Sequence, residues 1–129
     1  MSEGRVEIVG GPALAVVDIQ RGGAMTHEVS GIAHMGGYPS VVVNAERIVA
    51  AARSAQVPII FFQEVHRPNG IDFGRELDGA EGVHCLEGER ATELWPTLTP
   101  REGEYFIAKR RYSCFFGTDL QIRAEEALS

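Results

Sequence analysis

Asp18 and Lys109 are the residues whose placement points most directly to chemistry. Each is the first charged residue after a short apolar run, Ala13-Leu-Ala-Val-Val17 before the aspartate and Tyr105-Phe-Ile-Ala108 before the lysine. Such runs suit strands buried on both faces, and charged side chains at the carboxyl ends of parallel strands converge on the crevice where open α/β sheets bind ligands. If the two strands are neighbours, the two groups can meet. An ammonium beside a carboxylate keeps it ionised, and such a pair can take a proton from a third group and hold the resulting charge. Position alone leaves an ordinary strand-end ion pair equally open.

Other chemical patterns are negative. The glycine pairs Gly22-Gly23 and Gly36-Gly37 do not form Gly-x-Gly-x-x-Gly after a strand, and no Walker loop occurs. His27-Glu28 lacks the second histidine of a zincin helix, and Ser113 sits in no Gly-x-Ser-x-Gly elbow. Cys85 and Cys114 have no Cys-x-x-Cys spacing, so they are read as thiols rather than as a zinc site or redox pair. Neither is the expected nucleophile: free cysteines commonly pack as small hydrophobes, and His84, adjacent in sequence to Cys85, has no regular geometry that would turn it onto the thiol.

The elements that must position Asp18 and Lys109 form a repeating pattern. A first strand, Pro12 to Asp18, leads into a Gly-rich loop from Ile19 to Pro39 with room for short helical turns. Ser40 then precedes Val41, Ala45, Ile48, Val49 and Ala52, an apolar stripe at helical spacing that should stop near Gln56 because Pro58 disfavours helical geometry at Val57. Ile59-Ile-Phe-Phe62 follows as a second buried strand, completing a βαβ unit and a parallel sheet. Gln63 to Gly88 is expected to be a long loop, with a helical turn or two between Ala91 and Leu98. Glu104 to Lys109 is the third strand, and Thr118 can cap a helix running through Leu120, Ile122, Ala124 and Leu128. A three-stranded parallel sheet leaves edges and part of a face uncovered, so residues 1–129 are expected to be one domain lacking its later strands.

Composition narrows the partners. With 129 residues, 44% of them hydrophobic, the chain can build one core but not two. A net charge of -6 and the absence of a long basic run argue against nucleic acid. No apolar stretch is long enough to span a bilayer, and the start, Met1 to Gly10, carries Glu3 and Glu7 where a signal peptide would be basic, so a cytoplasmic protein is expected.

Three segments add a family resemblance. Ala15-Val-Val-Asp18-Ile-Gln20 resembles the Asp-x-Gln strand end of the isochorismatase-like cysteine hydrolases, a superfamily of nicotinamidases, N-carbamoylsarcosine amidases, biuret hydrolases and ureidoacrylate amidases. Lys109-Arg-Arg-Tyr-Ser-Cys-Phe-Phe-Gly-Thr-Asp-Leu120 resembles the lysine segment of the same family, and Pro58-Ile-Ile-Phe-Phe62 falls where the family has its second strand. The resemblance implies a three-layer Rossmann-like α/β fold, a parallel sheet with helices on both faces, of which this chain is the incomplete N-terminal portion. It implies an amidohydrolase acting on a linear non-peptide C–N bond of a small ureido or carbamoyl amide. Asp18 and Lys109 would be catalytic, and the nucleophilic cysteine, opening the helix after the fourth strand, would lie outside this chain. The alternative is an inactive protein that keeps half of the site and binds a small ligand or another subunit.

Substrate binding is expected of Gln20, in the Asp-x-Gln strand end, and of His66, Tyr112 and Phe116. His66, with Arg67 and Asp72, would line the pocket mouth, the alternative being a solvated loop; Tyr112, Phe115 and Phe116 would wall the site, although aromatics beside a strand end are commonly core. Nicotinamidases place Asp-x-His and a further histidine after the second strand. Here Glu64-Val-His66 is followed by no histidine before His84, so neither metal nor other cofactor is expected. The expected partners are a small amide substrate and either a second copy of the chain or a complementing chain that carries the nucleophile.

Overall fold

The computed structural model describes residues 4, 7–79 and 81–128; Glu3 lies outside them. Three strands, β1 (Leu14–Val17), β2 (Ile59–Glu64) and β3 (Tyr105–Lys109), form a parallel sheet in the order β1-β2-β3. The α/β class and the parallel sheet agree with the sequence reading. The strand order refines it, because β1 and β3 are not neighbours. β2 lies between them, with Val17 in register with Phe62 on one side and Lys109 with Glu64 on the other.

β2 is central because it can bury both faces. Ile59 and Phe61 join Val16, Val42, Val49 and Leu98 in one cluster, whereas Ile60 and Phe62 join Ile107 and Leu120 in another. Alternation along the strand therefore feeds two cores, and each fully buried side chain contributes roughly 2 kcal/mol. The helix α2 (Tyr38–Ser54) covers the first face, and the start of α3 (Leu120–Leu128) covers the second.

The α2 helix begins two residues before the expected Ser40. Gly37 enters it in the left-handed region at φ 74°, and Pro39 occupies the first turn, where its fixed φ suits a helix and its missing N–H is not needed. Of the expected stripe, Val49 and Ala52 are buried and Ala45 packs partly buried against the core, whereas Val41 and Ile48 are exposed and Tyr38 and Val42 take the buried positions instead. The predicted stop holds: Ala55 closes the helix and Gln56 turns the chain at φ 57° toward Pro58.

Several loops contain short turns. A short helix, α1 (His27–Ser30), sits in the Gly-rich segment, and 3-10 turns cover Arg21–Ala24, Glu76–Asp78 and Arg90–Thr92. Where a helical turn or two was expected between Ala91 and Leu98, the last of these forms, followed by a turn in which the Leu98 amide donates to the Trp95 carbonyl at 2.9 Å. Thr118 sits before α3 as anticipated, its hydroxyl accepting the Leu120 amide at 3.4 Å, while Ile122 is exposed; the side chains of Ala124 and Leu128 lie outside those described. Among the described residues no helix is long and apolar enough to cross a membrane.

Candidate active site

Asp18 and Lys109 meet across the carboxyl end of β2. Asp18 follows β1 in the left-handed region at φ 56°, a conformation an L residue adopts only when its surroundings hold it, and its amide donates to the Phe62 carbonyl at 3.1 Å. That turn sends the carboxylate over the strand end, where Oδ2 lies 2.9 Å from Lys109 Nζ. The lysine, last residue of β3, is 1% exposed, and its ammonium also donates to the carbonyls of Arg111 at 2.9 Å and Tyr112 at 3.3 Å. Three acceptors thus match its three N–H groups.

Burial pushes the Asp18 carboxyl above its ordinary value, and the hydrogen bond and charge of Lys109 pull against that without cancelling it. The other oxygen, Oδ1, is buried and has no hydrogen-bond partner among the described residues. A carboxylate made more basic by burial, with one oxygen anchored and the other not hydrogen-bonded, is suited to receive a proton.

Gln20 is buried and fastens this corner. Its amide nitrogen donates to the carbonyls of Glu64 at 2.9 Å and Thr92 at 2.6 Å, and its oxygen accepts the Glu64 amide at 2.9 Å. The side chain behaves as an extra strand residue that ties β1's end to β2's, although it also borders the cavity. Tyr38 supports it from below by donating to the Gln20 carbonyl at 2.9 Å; a Cβ on Gly23 would lie 2.3 Å from the Tyr38 ring, so the chain needs glycine there to pass.

A cavity of about 270 Å³ opens beside the pair, lined in part by Asp18, Gln20, Glu64, Glu81, Cys85 and Tyr112. Tyr112 reaches it with its hydroxyl donating to Glu81 at 2.8 Å. His66 does not line it: the imidazole is completely buried, stacked on Phe73 at 4.0 Å between ring centres, and Asp72 lies 3.4 Å from Nδ1. Neither a pocket mouth nor a solvated loop describes that histidine. Phe116 is exposed in a separate depression, its ring 5.4 Å from the Arg111 guanidinium.

Glu64, His84 and Glu81 are site residues that the sequence reading passed over. Glu64 is the last residue of β2, so it obeys the same rule as Asp18 and Lys109, but ending the strand at Phe62 had put it in a loop. His84 is buried, its Nδ1 donating to the Gly82 carbonyl at 2.6 Å and its Nε2 facing Glu64 at 3.1 Å and Glu81 at 3.5 Å. The Glu64 carboxylate beside it raises the His84 pKa to about 9 against the opposing effect of burial. Burial would raise Glu64 in turn, but the hydrogen bond and charge of His84 outweigh it and leave that carboxyl below its ordinary value.

A pH dependence follows. His84 gains its proton's stabilisation only when folded, so that contribution is complete below its unfolded value near 6.5 and is lost as the pH rises through about 9. Unfolding by urea between pH 6 and 10 is expected to reveal a fall of up to about 3 kcal/mol. The fall should be absent in His84→Asn; a flat profile in the unsubstituted protein would contradict the charged pair.

Glu64, His66 and His84 each bring one potential ligand atom within 4.8 Å of the others. Two imidazoles and a carboxylate are a donor set that zinc accepts, and His84 completes a trio that sequence separation had hidden. A cation bound there would have to displace the His84 proton.

Neither thiol is poised as a nucleophile. Cys85 borders the cavity, yet burial first, and then the surrounding Glu64, Asp18 and Glu81 carboxylates, raise its pKa, opposite to what the adjacent histidine had made conceivable. Cys114 packs against the Ile60 and Phe62 cluster, and burial raises its pKa too.

Comparisons with known proteins identify the family. Residues 12–127 match the family model described as Isochorismatase domain. Ureidoacrylate amidohydrolase RutB of Pseudomonas syringae pv. syringae is 30% identical over 130 residues, covering 84% of this chain and 52% of that protein. RutB of Klebsiella pneumoniae strain 342 is 32% identical over 129 residues, covering 84% and 53%. The chain spans about half the length of these curated relatives. Among solved structures, a cysteine hydrolase from Pseudomonas syringae pv. phaseolicola superposes with a TM-score of 0.77 at 26% identity over 98% of this chain and 61% of that one. N-carbamoylsarcosine amidase from Thermoplasma acidophilum gives 0.69 at 26% identity over 89% and 62%.

Proposed function

Because the chain belongs to the isochorismatase family, we propose that it carries the acid–base half of a cysteine-dependent amidohydrolase, which cleaves a linear non-peptide C–N bond in a small ureido or carbamoyl amide. The observation that carries this reading is the 2.9 Å contact between Asp18 and a fully buried Lys109, beside a cavity and with Asp18 Oδ1 lacking a hydrogen-bond partner among the described residues. Relatives named ureidoacrylate amidohydrolase and N-carbamoylsarcosine amidase support the reaction class.

In the proposed cycle Asp18 accepts the proton of a thiol supplied from outside residues 1–129, by the same polypeptide or by a complementing copy or chain. The thiolate attacks the amide carbonyl carbon, and the tetrahedral intermediate collapses as Asp18 returns its proton to the departing amine. The resulting thioester is hydrolysed by water, with Asp18 taking one proton from that water and passing it back to the sulfur. Lys109 keeps the carboxylate anionic and offsets the negative charge that develops beside it. No metal takes part in this scheme; were Glu64, His66 and His84 to hold a cation, it would supply Lewis-acid chemistry.

The test uses the native gene product that carries these residues. Replacing Cys85 and Cys114 together by Ala is expected to leave ammonia release from small ureido compounds within about threefold of the starting rate, since neither thiol takes part in chemistry. Alkylation of the remaining thiol should abolish it. Loss of turnover on replacing Cys85 alone would overturn the assignment of an outside nucleophile, and binding without any ammonia release would favour a non-catalytic ligand-binding protein.

A further inference from the structure

We propose, building on the amidohydrolase reading above, that Glu64 and Glu81 make the cavity selective for uncharged carbamoyl compounds rich in N–H groups and turn away compounds that present a carboxylate there. Three carboxylates border this space, those of Asp18, Glu64 and Glu81, and no arginine or lysine lines it among the described residues.

The cations that balance these charges stand behind them. Lys109 is 1% exposed and engaged by Asp18 and two backbone carbonyls. His84 is equally enclosed, lying between Glu64, Glu81 and the Gly82 carbonyl. A ligand therefore meets carboxylate oxygens before it meets positive charge.

The hydrogen-bond inventory agrees. Three side-chain donors at the cavity are already engaged: the Gln20 amide donates to the Glu64 and Thr92 carbonyls, the Tyr112 hydroxyl donates to Glu81, and the Ser30 hydroxyl lies within reach of the Thr26 and Ile32 carbonyls. What the side chains of Asp18, Glu64 and Glu81 bring to the lining is acceptor. Acceptors in a partly desolvated cavity are complementary to urea or primary amide N–H groups, and a carboxylate would lose its hydration there and gain like-charge repulsion. Ile32, Ala33 and Met35 supply an apolar wall for the rest of a small neutral molecule.

This selectivity reads differently from simple transfer of a relative's substrate. A ureido acid could be accommodated only by directing its acid group away from Glu64 and Glu81.

The experiment compares N-carbamoylglycinamide with N-carbamoylglycine on the native gene product in buffer containing EDTA. Discrimination is read as the ratio of kcat/KM where ammonia is released, and as the ratio of Kd from calorimetry where it is not. In either case the neutral compound should be preferred at least about tenfold, and Glu81→Gln, which keeps a partner for Tyr112, should shrink that preference about threefold or more. Absence of ammonia with the preference intact would remove the hydrolase reading while sustaining the selectivity. A ratio near one, a preference for the acid, no binding of either compound, or a Glu81→Gln protein with an unchanged ratio overturns the selectivity, even if ammonia is released.

Discussion

Replacing Lys109 by Ala is expected to be the most damaging single change in the protein. It removes the counter-charge of Asp18 and leaves the Arg111 and Tyr112 carbonyls without their shared donor. Truncating one partner of a buried, hydrogen-bonded ion pair costs about 3 to 5 kcal/mol of stability, against which a small domain has little reserve. Lys109→Met separates folding from chemistry. It fills the volume of the stem without a charge, so its urea midpoint should lie well above that of Lys109→Ala, while turnover falls roughly a thousandfold or more because the developing charge beside Asp18 is no longer offset. A Met variant with near-normal kcat would show that the ammonium serves folding alone.

Asp18→Asn is expected to have the second largest effect, and in turnover the cleaner one. Asparagine is nearly isosteric, retains an oxygen to accept from Lys109 and sits where more than a third of the side chain reaches solvent, so the stability loss should stay near 1 to 2 kcal/mol. What disappears is the group that accepts and returns a proton; general acid–base steps of this kind contribute about a hundredfold to ten-thousandfold in kcat. Ammonia release with a saturating carbamoyl substrate should drop within that range while KM changes little. An unchanged kcat would remove Asp18 from the proposed chemistry.

The sequence made the strand ends legible and much of what surrounds them illegible, for identifiable reasons. Asp18 and Lys109 could be placed because a charge directly after an apolar run has one structural meaning in a parallel sheet. Glu64 obeys the same rule, but the strand before it ends in Gln63, whose polarity hid the last two residues of β2. His66 and His84 were obscured for another reason: seventeen residues separate them, and their approach depends on Phe73 and on backbone bonds such as the His66 amide donating to the Cys85 carbonyl at 2.7 Å. Gln20 was recognised as part of a motif, yet its tie across to β2 depends on where that strand stops, which periodicity cannot supply. The start of α2 was displaced by Gly37 and Pro39, whose backbone preferences overrode the more usual signal of a serine cap.

The selectivity proposed for Glu64 and Glu81 and the catalytic roles of Asp18 and Lys109 rest on one arrangement, in which Lys109 and His84 are buried behind the carboxylates of Asp18, Glu64 and Glu81. For Asp18 and Lys109 to act as a unit rather than as neighbours, their effects on the reaction must not add.

That is measured most directly by a double-mutant cycle on ammonia release, with Asp18→Asn, Lys109→Met and the two combined in the native gene product. The combined variant should be impaired about as much as the worse single variant, a coupling of roughly 2 kcal/mol or more in activation free energy. Losses that simply multiply, or a combined variant that retains turnover, would contradict a shared proton-transfer unit at the end of β2.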